Sequence, residues 1–355
     1  MKYRLLSMLA ISGLIFGGAA AAQERVPDLP QTSLQVVGGF STLTTYQDFE
    51  LPFWTKTIPE LSEGRVTATI KGYNEMGLKG PEVLRLISQG IIPIGTATLA
   101  YFASDNPINE AIDLAGINPT AKIAREVTDA FAPIYRKYYL QRNIKVLGLS
   151  TYPAQVLFCN ADIKSLADIK GKKVRASSRT VAEFIQALGG LSVTMSFAEV
   201  VPAMQNKVID CAVSGSMSGY SAKWYEVATH LYALPINWNQ QLHAANLDFW
   251  NKLDPRVQEF IQKNIDVMID RIWDDAAKAT QEGYDCNTGS DACPFPTRGK
   301  MTLVEPTEAD RELLKKITTE TVVPSWAARC SAECVKDFND TVGKLRVITA
   351  VKAAK

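Results

Sequence analysis

Side chains with obvious chemistry are few in this chain, and most are thiols. The six cysteines are Cys159, Cys211, Cys286, Cys293, Cys330 and Cys334. Cys286 and Cys293 bracket a polar turn, Asn287-Thr288-Gly289-Ser290-Asp291-Ala292, and Cys330 and Cys334 are separated by Ser331-Ala332-Glu333. An even count suits disulfides in an oxidising compartment. Two close cysteine pairs also suit zinc, but their spacings are not those of zinc knuckles. Of the three connectivities that four cysteines allow, Cys286–Cys293 with Cys330–Cys334 is the simplest. Cys159 and Cys211 each lie in an apolar, strand-like run and read as buried thiols rather than as a bridge.

Nucleophile and acid–base signatures are missing. His230 and His243 are the two histidines, and a lone histidine is more often structural than catalytic. No H-E-x-x-H, G-x-S-x-G or P-loop pattern occurs, and Gly38-Gly39 and Gly189-Gly190 lack dinucleotide-binding spacing. Acidic residues are plentiful, but no pair is singled out by its context. These absences favour a binding protein over an enzyme; an exported lyase or isomerase remains the rival.

The amino terminus sets the compartment. Lys2 and Arg4 precede an apolar run ending at Phe16, and Ala20-Ala21-Ala22 stands before Gln23. A basic, then apolar, then small-residue order is that of a cleaved signal peptide over residues 1–22. Its removal takes Lys2 and Arg4, leaving 36 basic against 37 acidic residues, so the net charge of +1 becomes −1. Near-neutrality argues against a nucleic-acid partner. The 355 residues, 46 % hydrophobic and 21 % charged, fit two α/β domains. No later run is long enough to span a membrane, so the mature chain reads as soluble and periplasmic.

The elements that position any site alternate. Leu34–Gly39, Val66–Ile70 and Ile91–Gly95 read as strands, separated by helical stretches at about 46–61 and from Pro81. That rhythm predicts parallel βαβ units. Ile144–Leu149 and Gln155–Phe158 follow each other too closely for a helix between them and read as a crossover between lobes. A second set follows: Lys173–Ala176, a helix through Phe184, Leu191–Met195, and Val208–Val213. Asp254-Pro255 starts a long helix carried by Ile261, Ile265, Met268, Ile272 and Ala276. It runs to about Gln281, roughly 27 residues or ~40 Å, enough to lie across two lobes.

At Leu166-Ala167-Asp168-Ile169-Lys170-Gly171-Lys172-Lys173-Val174-Arg175 the chain resembles the solute-binding proteins of TRAP transporters, the DctP family. The likeness continues through Ala187-Leu188-Gly189-Gly190, Met195–Val200, Ala203-Met204-Gln205 and Val208-Ile209-Asp210, with Asn74–Val83 upstream. The resemblance implies an α/β clamshell of two lobes spanned by a long helix. Lobe I would be 31–151 plus about 240–280, and lobe II 152–239 plus about 281–345. It implies that Arg175 pairs with a ligand carboxylate, since a guanidinium meets a carboxylate bidentately and stays charged when desolvated. Phe197 matches an aromatic that packs on the ligand. Ser214 stands where relatives that bind sialic acid or short dicarboxylates often carry Asn, so their ligands are not transferred. Gln155, Trp238 and Asn239 fall at the interlobe crossings, and Glu75 and Tyr101 on first-lobe loops, all as cleft candidates. The implied ligand is a small organic acid anion, and the implied partners are the small and large membrane subunits of a permease. A sensor of the same fold is the alternative. No cofactor is implied; sodium or calcium beside the ligand stays open, with no ligating residue named.

Overall fold

The computed structural model describes residues 28–351; the signal peptide expected over residues 1–22 lies outside the described residues. Among the described residues, eleven strands form two sheets. The first holds β1 (Thr32–Gly38), β2 (Val66–Gly72), β3 (Ile94–Thr98), β4 (Ile144–Ser150) and β10 (Gln241–Asn246), in the order β2-β1-β3-β10-β4. The second holds β5 (Gln155–Cys159), β6 (Lys173–Ala176), β7 (Leu191–Thr194), β8 (Cys211–Gly215), β9 (His230–Asn237) and β11 (Thr302–Val304), in the order β11-β9-β5-β8-β6-β7.

In each sheet the βαβ rhythm produces parallel pairs, β1 with β2 and β3, and β6 with β7 and β8. Each sheet also receives one strand running the other way: β10 is antiparallel to β3 and β4, and β5 is antiparallel to β8 and β9. These are the strands that the chain enters on crossing between sheets. The crossings, 151–154 and 238–240, run side by side, with Gln155 opposite Asn237 on one flank and Ser150 opposite Gln241 on the other.

The long helix is Pro255–Thr288, 34 residues, or about 50 Å at 1.5 Å per residue. Asp254 caps it by accepting from the Arg256 N–H at 2.9 Å. Gly289 ends it in a left-handed conformation, φ 87°, which glycine adopts without a Cβ clash. The helix overruns the expected end at Gln281 because its inward face turns small and polar. Ala279, Thr280, Gly283 and Asn287 are all buried, and such residues leave no apolar stripe. Gly283 is required there, since a Cβ would collide with the Ser216 and Met217 backbone. The helix engages both sheets' layers. The Trp273 indole donates to Leu149 O at 2.9 Å, while Ser216 Oγ donates to Thr280 O at 2.9 Å. Between them Ala154 N, in the first crossing, donates to Thr280 Oγ1 at 2.9 Å.

The carboxy-terminal helices touch both halves too. Trp326 Nε1 donates to Pro107 O at 2.7 Å, and Leu166 N donates to Asp310 Oδ1 at 3.0 Å. Arg329 joins Glu110 at 2.7 Å to Glu183 at 3.3 Å.

All six cysteines are bridged: Cys159–Cys211, Cys286–Cys293 and Cys330–Cys334. The last two are the expected pairs. The first corrects the reading of Cys159 and Cys211 as separate thiols. The antiparallel register of β5 and β8 sets the two residues directly opposite, Cα–Cα 4.0 Å, a proximity that residues 52 apart in sequence do not disclose. By loop length, this bridge restricts the unfolded chain by about 4 kcal/mol in the chain-entropy account. The Cys159→Ala, Cys211→Ala double variant is expected to lose roughly 2–4 kcal/mol, measured by guanidinium unfolding under non-reducing conditions.

Candidate functional site

Where β6 ends, Arg175 points between the sheets. It is 2 % exposed. Its Nε donates to Met195 O at 3.2 Å, just past β7, and its Nη1 donates to Val213 O at 2.8 Å on β8. The neighbouring strands thus aim the guanidinium through their own carbonyls. Nη2 has no protein partner, and no carboxylate among the described residues pairs with Arg175. Burial pushes the guanidinium below its ordinary value, opposed by the nearby Tyr101 and Tyr73 hydroxyls.

Arg175 opens onto a cavity between the sheets with about 380 Å³ of empty space, part of it open to solvent. Phe197, Gln155, Ser214 and Ser218 line it from the second sheet's side, Tyr101, Tyr73, Thr98 and Phe40 from the first, and Tyr152 and Asn239 from the crossings. Arg175 is the one charged side chain among these. Phe197 stacks on Trp224 with ring centroids 5.2 Å apart and meets Phe40 edge-on at 5.4 Å, so it closes the cavity against the opposite lobe. Gln155 Nε2 donates to Pro153 O at 3.1 Å, leaving its carbonyl oxygen free. Burial holds the Tyr73 and Tyr152 hydroxyls well above the usual tyrosine range, so both remain neutral donors.

Six of the eight residues singled out in the sequence therefore meet at one cavity: Arg175, Phe197, Gln155, Ser214, Asn239 and Tyr101. Two lie outside it. Trp238 is buried, its indole donating to Asn118 O at 2.8 Å. Glu75 caps its own helical turn, accepting from Gly72 N at 2.7 Å. Phe40, Tyr73, Thr98 and Tyr152 line the cavity without having been named. Each sits within two residues of a strand end or crossing, and that placement is the only trace they leave in the sequence.

Behind the cavity runs a buried polar chain. Glu50 accepts from Gly39 N at 3.1 Å and from Thr96 Oγ1 at 2.8 Å. Thr96 Oγ1 lies 3.1 Å from His243 Nδ1, and Ser150 Oγ lies 2.7 Å from His243 Nε2. Gln241 Nε2 then donates to Tyr152 Oη at 2.9 Å, at the cavity wall. His243 is thus a core histidine, and burial pushes it down to about 4. Burial pushes Glu50 up to about 7.

A network of buried, neutral hydrogen-bonding groups around a single unpaired cation lies between two α/β lobes. The chain belongs to the bacterial extracellular solute-binding proteins of family 7, the DctP family, whose model matches residues 41–322. Curated relatives are distant. An uncharacterised protein, YiiZ of Salmonella typhimurium, is 24 % identical over 208 residues, 56 % of this chain and 63 % of that protein. The sialic acid-binding periplasmic protein SiaP of Vibrio cholerae is 24 % identical over 212 residues, 59 % of this chain and 66 % of that one. The chain thus matches less than two thirds of these relatives' length. Solved structures align more completely. The Bordetella pertussis extracytoplasmic solute receptor DctP7, binding pyroglutamic acid, superposes with a TM-score of 0.78 at 19 % identity, over 87 % of this chain and 99 % of that one. A TRAP periplasmic solute-binding protein of Desulfovibrio salexigens with bound orotic acid gives 0.77 at 18 %, over 88 % and 99 %. The sugar acid-binding protein DctPAm of Advenella mimigardefordensis with galactonate gives 0.77 at 17 %, over 89 % and 99 %. These share the fold.

The Glu50 shift has a testable sign. Between pH 4.5 and about 7, native Glu50 keeps its proton while the unfolded chain releases it. This group therefore removes stability as pH rises through that window. His243 acts oppositely between about 4 and 6.5. Glu50→Gln should leave the His243 contribution uncovered. Its stability relative to wild type is expected to climb from pH 4.5 to 7, measured by urea unfolding at stepped pH.

Proposed function

We propose that this protein captures a compact organic acid anion in the periplasm and delivers it to the membrane subunits of a TRAP permease. The single observation that carries this reading is Arg175, a buried guanidinium with two donors spent on backbone carbonyls and its remaining edge unpaired in the cavity. A buried cation without a partner is costly, and an incoming carboxylate offsets that cost by accepting from the free edge. The superposed receptors, which bind pyroglutamic acid, orotic acid and galactonate, support an acid as the class.

Residues 1–22 act as the export signal in this reading, and the proposed lobes, 31–151 plus about 240–280 and 152–239 plus about 281–345, close on the ligand. Closure follows from differential contact: a ligand touching Arg175 from one side and the Tyr73 and Phe40 walls from the other stabilises only the closed form. With one cation and no second basic residue lining the cavity, monoanions fit, and a second carboxylate would be buried unpaired.

Arg175→Ala is expected to weaken binding at least about 100-fold, the magnitude of losing a buried charge-assisted pair, in calorimetric titrations with a panel of organic acids. Arg175→Lys, which loses the fork, should also bind measurably more weakly than wild type. Unchanged affinity in Arg175→Ala would sink the assignment. Across the same panel, dicarboxylates should bind at least about tenfold more weakly than monocarboxylates of equal size.

A further inference from the structure

On leaving β9 the chain must turn sharply to enter β10, and it does so through Trp238, Asn239 and Gln240. Asn239 adopts a left-handed conformation, φ 59°, which most L-residues disfavour and asparagine tolerates better than most. Asp113, in the segment that follows β3, is 8 % exposed and grips this turn at three points. Its Oδ1 accepts from Trp238 N at 2.9 Å, and its Oδ2 accepts from Asn239 N at 2.6 Å and from Asn237 Nδ2 at 2.8 Å. Asn118 reinforces the grip by accepting from the Trp238 indole.

The turn presents the Asn239 side chain to the Arg175 cavity. Its carboxamide makes no hydrogen bond among the described residues, and its buried Oδ1 is unsatisfied. A buried amide oxygen without a partner is costly, and that cost is offset when a ligand supplies the missing donor.

We propose that Asp113 is a positioning residue that holds Asn239 in this conformation, and that the Asn239 carboxamide selects acids bearing a lactam, amide or hydroxyl over plain hydrocarbon acids. This rests on the reading of the cavity as an acid-anion site. Arg175 supplies affinity for the carboxylate that all such ligands share, and Asn239 distinguishes among them. The absence of any carboxylate in the cavity lining makes the second group neutral rather than an amine.

Two five-membered ring acids make the test, pyroglutamate with its lactam and cyclopentanecarboxylate without one. Calorimetric titrations run at pH 8, above the value of about 7 to which burial pushes Asp113, so that its carboxylate is ionised. Wild type should prefer pyroglutamate by at least about tenfold. Asp113→Asn should erase most of that preference while leaving the affinity for cyclopentanecarboxylate within about threefold. In Asn239→Gly, where glycine tolerates the turn, the preference should be gone and adding Asp113→Asn should cost nothing further. Equal affinity of wild type for the two acids overturns the selection. Equal weakening of both acids in Asp113→Asn overturns the positioning role, because a merely structural defect would do that. Should Asp113→Asn fail to fold, Asn237→Ser removes one of the three donors and reads the same split. If wild type binds neither acid, the acid-anion reading is what fails. The crystal structure of Asp113→Asn then decides the positioning role: Asn239 leaving its left-handed conformation upholds it, and an unmoved turn overturns it.

Discussion

A guanidinium taken out of water without a counter-charge is the constraint around which this molecule is arranged. Arg175 is nearly fully buried, and no carboxylate among the described residues pairs with it. Stranding a charge in this way is tolerable only if its surroundings are polar, fixed and incomplete in one place. The carbonyls of Val213 and Met195 take two of its donors. They belong to neighbouring strands or strand ends, so the geometry of the sheet itself sets the direction of the third. The cavity is the incomplete place.

The rest of the fold holds the two walls of that cavity in register. Three covalent connections run between the halves: the crossings at 151–154 and 238–240, and the helix Pro255–Thr288. The crossings are short and lie side by side. The helix is stiff, and it is bonded to Leu149 through Trp273 and, about two turns further on, to Ser216 through Thr280. Asp113 stiffens one of those crossings by accepting from three of its donors, and Thr280 anchors the other through Ala154 N. Arg329, between Glu110 and Glu183, adds a non-covalent tie between the halves. On the proposed reading, near-neutral net charge fits this economy, because attraction for an anion comes from one oriented cation rather than from a field over the whole surface.

Much of the site was legible through the family resemblance, whose matched residues sit where strands end. Arg175 is the penultimate residue of a four-residue strand, Gln155 opens the next lobe, and Ser214 lies on the buried strand that follows the Asp210 turn. Such places carry side chains into clefts whatever the tertiary detail. Tyr73, Phe40 and Tyr152 occupy equivalent places, yet an aromatic residue beside a strand reads equally well as core, and only the facing wall distinguishes the two. Trp238 shows the converse. It lies next to Asn239 in the crossing, but the alternation of side chains turns its ring away to Asn118. Glu75 satisfies its own backbone instead of facing the cavity. Which way a side chain points, at a position already known to lie near the cleft, depends on one backbone dihedral or one hydrogen bond.

The sequence by itself determined the α/β alternation, the two-lobed class, the long helix with its Asp254-Pro255 start, and the arginine at the end of β6. The alternation and the helix follow from periodicity and from preferences of adjacent residues; the two lobes follow from length and helix span, and the arginine from the family resemblance. Tertiary structure decided what joins distant segments. It set Cys159 opposite Cys211 by the antiparallel register of two strands, ran the long helix on past Gln281 through small and polar inward residues, and brought Asp113 to the turn at Asn239. Each of these depends on pairing between segments tens or more than a hundred residues apart. Local preferences carry no record of such pairing, because the energy that fixes it arises only once both partners are buried against each other.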